Sequence, residues 1–189
     1  MWAHASRASD NDLQLLQHSG STFVSTASTE LQMGHRLPLA HQNRANKLRR
    51  CTSIGIKEMR LGLQAARAIR NRHFHARGLE PAKVRPLVED AFNLGTIYGA
   101  RAIGMGDMIG CIEENKRADL VIFDCTTPSM LCGASHSPIA LIMLHSGPRD
   151  VQHVIVDGIF RKKDGVLHLP KWKNWQKVFL GPVKCNERM

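Results

Sequence analysis

The sequence predicts an α/β fold followed by a small β-rich segment, and three observations carry that expectation. In the front part, apolar residues recur at helical spacing between short β-branched runs. From Met108 onward the texture turns to strands, starting with Ala118-Asp-Leu-Val-Ile-Phe-Asp124. Two Asp-Gly pairs, Asp157-Gly158 and Asp164-Gly165, then punctuate β-branched runs, which is the pattern of a hairpin meander. The segments expected are 1–107 (alternating α and β), 108–169 (antiparallel β) and 170–189 (an amphipathic tail).

Each element has its own reason. Asp10 to His18 opens with good helix-capping residue types and continues apolar at helical spacing, and Gly20 ends it. Ser21 to Thr26 places Phe23 and Val24 among hydroxyls and reads as a short strand. Glu30 to His41, broken by Gly34 and Pro38, reads as loop. Arg44 to Arg50 is a basic run, and Ser53-Ile-Gly-Ile56 reads as a buried strand. It passes into the strongest helix of the chain, Glu58 to Arg77, with no turn residues between. Met59, Leu63, Ala66 and Ile69 form its apolar stripe. A second long helix is expected over Val88 to Ala102, with Gly95 and Gly99 allowing close packing. In the tail, Trp172, Trp175 and Phe179 fall at helical spacing.

Bulk composition excludes several classes. With 189 residues, 43% hydrophobic and 22% charged, the chain is long enough for one domain core and ordinary for a globular protein. The apolar runs, of which Ile139 to Leu144 is typical, are too short to span a bilayer, so no membrane partner is expected. The start carries no basic and apolar leader pattern. Five cysteines, at positions 51, 111, 125, 132 and 185, are scattered and odd in number. That spacing argues for reduced thiols and a cytoplasmic location. The formal charge of +10 invites a nucleic-acid reading, but the basic residues gather in 44–77 and after 161 without interleaved aromatics. They read as solvated faces, and nucleic acid is not an expected partner.

The stretch "ARAIGMGDMIGCIEENKRADLVIFD", Ala100 to Asp124, resembles the C-terminal part of the amidohydrolase superfamily, in the branch of chlorohydrolases and cytosine-, guanine- and adenosine-type deaminases. "VIVDGIFRKKDGVL", Val154 to Leu167, matches the next element of that family in order. "STASTELQMGH", Ser25 to His35, is similar to the loop after the family's seventh barrel strand, and "MRLGLQAAR", Met59 to Arg67, to its eighth helix. The resemblance implies a partial (β/α)₈ barrel, strands six to eight, joined to a share of a composite β-sandwich. It also implies metal-dependent hydrolysis of carbon–nitrogen bonds other than peptide bonds, such as deamination of a heterocyclic amine, with zinc or iron generating hydroxide.

Carried over by position, the resemblance leaves few site residues. His4 takes the place of the strand-six histidine that assists the attacking water, and Glu30, Gln32 and His35 fall on the substrate-side loop. The metal-binding aspartate expected after Ile56 is replaced by Lys57, with the loop that should follow it missing, and the His-x-His and strand-five histidine have no counterpart. No metal or other cofactor is therefore expected in the chain as it stands. His73-Phe74-His75 is a poor substitute: on a helix, positions i and i+2 point about 200° apart. Asp119 and Asp124 read as strand-end hydrogen-bonding groups. Three functions stay open: a hydrolase acting on a small molecule if completed, a non-catalytic chain associating with itself or a full-length homologue through exposed apolar faces, and a basic nucleic-acid binder.

Overall fold

The computed structural model describes residues 2–5, 7–35, 38–41, 48–52 and 55–168. Two sheets organise them. The first is parallel, in the order β1 (Trp2–Ala3), β2 (Thr22–Ser25), β3 (Arg49–Thr52). Its register sets Trp2 against Phe23, and Phe23 against Arg50. Helix α1 (Asp10–His18) makes the crossover from β1 to β2. It is capped as its sequence directs: the Ser9 hydroxyl accepts from Asp12 N at 3.2 Å, and Ser9 N donates to the Asp12 carboxylate at 2.7 Å. Phe23, fully buried, anchors a core with Leu13, Leu39, Ala40, Leu48 and Leu94.

The strand expected at Ser53–Ile56 lies elsewhere. The residues that pair with β2 are Arg49–Thr52, inside and just after the basic run. Ser53 and Ile54 lie outside the described residues, and Ile56 is already the first residue of helix α3 (Ile56–His75). Gly55 makes the break, with a φ of +118° that other residues avoid. The reason is non-local: β3 is a strand because its backbone completes the ladder of β2, an arrangement that overrides the weak strand propensity of two arginines.

The region expected as loop, Glu30 to His41, is partly helical. Helix α2 (Ala27–Gln32) occupies its start and a 3₁₀ turn (Leu39–His41) its end. His41 is buried against α3 at Gly62, where a Cβ would collide with the imidazole. Among the described residues its Nε2 has no hydrogen-bond partner. Burial first, and the nearby Arg50 guanidinium second, push its pKa down to about 4.

Helix α3 buries Met59, Leu63 and Ala66 of the stripe its spacing predicts, while the fourth member, Ile69, is half-buried. The single helix expected over Val88 to Ala102 is two: α4 (Val88–Leu94) and α5 (Ile97–Ala102). The chain turns at Gly95, where a Cβ would run into the Met59 thioether and force it to shift. The Thr96 hydroxyl donates to Phe92 O at 3.0 Å and closes the corner.

The second sheet is antiparallel, β4 (Leu120–Phe123), β5 (Val151–Val156), β6 (Ile159–Lys163) and β7 (Val166–Leu167), in that order. Its two hairpins turn at Asp157-Gly158 and Asp164-Gly165, all four residues at positive φ, as the tight turns of twisted hairpins require. The apolar run within Ala118 to Asp124 reads as a buried strand, yet Val121 and Ile122 of β4 are exposed, as are Ile159, Phe160 and Leu167 of the same sheet. Helix α6 (Pro138–His145) lies between β4 and β5 in sequence but packs with the helices, Met143 joining Met59, Leu63 and Ala91 in a second core. The Arg60 guanidinium ties it there: Nε donates to Met143 O at 2.6 Å and Nη2 to Ser146 O at 2.5 Å, satisfying carbonyls that a helix end leaves open. The 108–169 segment is thus a sheet plus a helix that belongs to the neighbouring core. No helix among the described residues is long and apolar enough to cross a membrane. The tail tryptophans lie outside the described residues.

Candidate functional site

Loops at the C-terminal ends of parallel strands gather side chains from several elements, which is where barrel chemistry is built. Here those ends bring together His4, just after β1, and the segment after β2. His4 N donates to Val24 O at 2.8 Å, extending the β1–β2 ladder by one bond. The chain then leaves the sheet abruptly: His4 and Ala5 have φ of +67° and +45°. Two consecutive non-glycine residues in this region are uncommon and strained.

The His4 imidazole meets Glu30, its Nδ1 lying 3.3 Å from Oε1. Glu30 is fully buried. Its carboxylate accepts the Thr26 N–H at 3.0 Å and the Ser25 hydroxyl at 2.9 Å. The local chain explains this: Thr26 is the residue preceding α2, and Glu30 reaches back from the first turn to the open N–H, as a capping box does one residue earlier. Glu58, from α3, adds a second carboxylate to the same helix start and accepts Ser28 N at 2.9 Å. The His35 ring, on the far side of α2, sits 6.0 Å from the His4 ring at 38°.

Of the four residues singled out from sequence, the structure thus brings His4, Glu30 and His35 together. Glu30 is a buried support of His4 and α2, while His35 is exposed and Gln32, the last residue of α2, faces solvent. Ser25, Thr26 and Glu58 were not singled out. The Ser25–Thr26 hydroxyls before a glutamate are a capping signal that could have been recognised; Glu58 depends on a contact thirty residues away and had none. His73 and His75 are exposed at the last turn of α3, with His75 Nε2 at 3.3 Å from Glu80. Asp119 and Asp124 serve backbone: Asp119 accepts Asp157 N at 2.7 Å, and Asp124 accepts Thr126 N at 2.8 Å.

A catalytic zinc takes about three protein ligands and keeps one position open. The donors present do not fit it. Among the described residues no three His, Cys, Asp or Glu side chains gather closely enough to hold a metal ion. Past the end of β3 the chain reads Ser53-Ile54-Gly55-Ile56-Lys57, and the first acid, Glu58, is engaged with α2. Lys57 itself is exposed.

The family model "Amidohydrolase family" matches residues 18–160, and the chain belongs to that family. A 5-methylthioadenosine/S-adenosylhomocysteine deaminase of Symbiobacterium thermophilum is 28% identical over 157 residues, 82% of this chain and 36% of that protein. An S-triazine hydrolase of Gordonia rubripertincta is 37% identical over 83 residues, 42% of this chain and 16% of that one. Among solved structures, a zinc-bound adenosine deaminase from Xanthomonas campestris aligns with a TM-score of 0.73 at 21% identity, over 88% of this chain and 37% of that chain. The parallel strands with their helices are therefore part of a (β/α)₈ barrel, and the chain spans well under half the length of these proteins. The structural neighbour binds zinc.

Proposed function

We propose that this chain supplies the proton-handling side of a centre that hydrolyses a carbon–nitrogen bond of a heterocyclic amine, the metal donors coming from residues outside it. The observation that carries the reading is His4: a half-exposed imidazole at the C-terminal end of a parallel strand, backed by a buried carboxylate, on an amidohydrolase fold. In such a reaction water adds to the ring carbon bearing the amino group, His4 takes a proton from it, and the same proton passes to the departing nitrogen, which leaves as ammonia. The deaminases among the relatives support an adenosine-like amine as substrate.

Among the described residues no three donors gather around a metal ion, and on this reading the chain therefore acts by associating with a complete homologue rather than alone. Metal analysis and ammonia release test this. The purified chain is expected to carry far less than one equivalent of zinc and to release no ammonia from 5′-methylthioadenosine. Mixed with a complete homologue disabled at its own strand-six histidine, it is expected to restore activity, and His4→Asn to abolish the restoration. One bound equivalent of zinc with turnover by the chain alone, or restoration indifferent to His4→Asn, overturns the proposal.

A further inference from the structure

The structure assigns Glu30 a role that the family likeness does not: it is the positioning residue that fixes the tautomer of His4, so that Nδ1 carries the hydrogen and Nε2 is the nitrogen left to accept a proton. The inference rests on the reading of His4 as a proton-handling group. Three features carry it. The carboxylate is held before the imidazole meets it, since Thr26 N donates to Oε1 at 3.0 Å and the Ser25 hydroxyl reaches both oxygens, at 3.1 and 2.9 Å. A carboxylate oxygen only accepts, so the ring nitrogen facing it must be the one that donates. That nitrogen is Nδ1, 3.3 Å from Oε1.

The backbone geometry points the same way. A residue continuing β1 would keep to the alternation of a strand. The positive φ of His4 and Ala5 breaks that alternation at the imidazole itself. Strain of this kind persists only where the surroundings over-determine it, and it gathers at sites with a task. The fully buried Glu30 is the group the ring meets. The two ring nitrogens point away from each other, so an imidazole anchored through Nδ1 to a buried group presents Nε2 from its other side. The His4 side chain is 37% exposed while Glu30 is at 0%, so the ring reaches solvent although its Nδ1 partner does not. The arrangement matches a general pattern in which the hydrogen bond at one nitrogen decides what the other can do.

Nitrogen-15 NMR of the 189-residue chain, labelled at histidine, tests this directly, His4 being assigned by its loss in His4→Gln. Above neutral pH the wild-type His4 ring is expected to show a protonated Nδ1 and a bare Nε2. In Glu30→Met, which keeps the volume but removes the acceptor, the ring is expected to revert to the Nε2–H form that free histidine favours. Glu30→Asp is expected to keep part of the Nδ1–H population. A wild-type ring found mainly as Nε2–H overturns the inference, and that measurement needs no variant to fold. A Glu30→Met ring unchanged from wild type overturns it too. Neither outcome touches the metal and ammonia measurements, so the tautomer role and the proposed function fail separately.

Discussion

The two sheets of this protein are held by opposite kinds of force. The parallel sheet is three short strands held by polar contacts between distant residues, buried or half-buried: Glu30 with His4, Glu58 with Ser28, the Thr22 hydroxyl donating to Ala102 O at 2.6 Å. The last three strands of the antiparallel sheet are pinned by neighbours: two Asp-Gly turns place β6 beside β5 and β7 beside β6, while apolar side chains such as Val121, Ile159 and Leu167 stay exposed. Asp150 shows what the second region does with a carboxylate. It accepts the Thr127 and Ser129 hydroxyls at 2.6 and 2.7 Å and Gly147 N at 2.7 Å, bonds that hold its pKa below the usual range. All three donors lie in one connecting region and none is a titratable ring, so this network closes a loop. Glu30 differs in serving an imidazole from another element. A buried carboxylate is thus a sign of function only when something proton-bearing and accessible sits on it.

The contrast can be broken at several points, in descending order of expected effect. Glu30→Ala removes the acceptor of the Thr26 N–H and one partner of the Ser25 hydroxyl, and is expected to cost about 3 kcal/mol in chemical denaturation. Acidification attacks the parallel half through His41, whose pKa of about 4 lies below the 6.5 of the exposed ring. The unfolded chain takes up this proton first, so stability is intact above pH 6.5, falls as the pH drops toward 4, and levels below it. The loss is expected to be about 3 kcal/mol, absent in His41→Gln, and read from denaturation midpoints across that range. Asp150 works in a lower window: its depressed value contributes stability above the normal carboxylate range, lost only as pH falls through that depressed value.

Arg60→Ala cuts the tie between α3 and α6 and is expected to cost about 2 kcal/mol, with hydrogen exchange quickening in α6. Lysine at that position cannot fork to two carbonyls and is expected to recover less than half. Gly158→Ala, forcing a side chain into a φ of +76°, is expected to cost about 1 kcal/mol and to loosen only the β5–β6 hairpin. The exposed apolar residues of the antiparallel sheet lead us to propose self-association or association with a homologue. Sedimentation of the wild type beside a Val121→Thr, Ile159→Thr double variant checks it, the variant expected to be the less associated.

How much was legible follows the same division. The α1 helix, most of the α3 stripe and the meander were all readable, because each is decided by residues within a turn or two of one another, although the cap of α1 is Ser9, one residue before the Asp10 start that was read. The β3 strand was displaced, the Val88–Ala102 helix divided and α2 taken for loop. In each case the deciding contact comes from far along the chain: the β2 ladder, the Met59 side chain against Gly95, the Glu58 carboxylate. Helix α6 was missed because its run is apolar almost throughout and carries no helical alternation. At the site, His4 and the loop Glu30 to His35 were placed by likeness of motif, but likeness could not say which of them touches which.

The sequence by itself determined the amidohydrolase motifs, the paired turns and the lack of a carboxylate between β3 and Lys57, since residue identities and local turn chemistry need no partner to be read. The tertiary structure alone decided that Glu30 is an inward support, that His4 leaves its strand to meet it, and that Glu58 binds the start of α2. Burying a polar group is unfavourable unless a partner is in place, and that partner can come from any point in the chain.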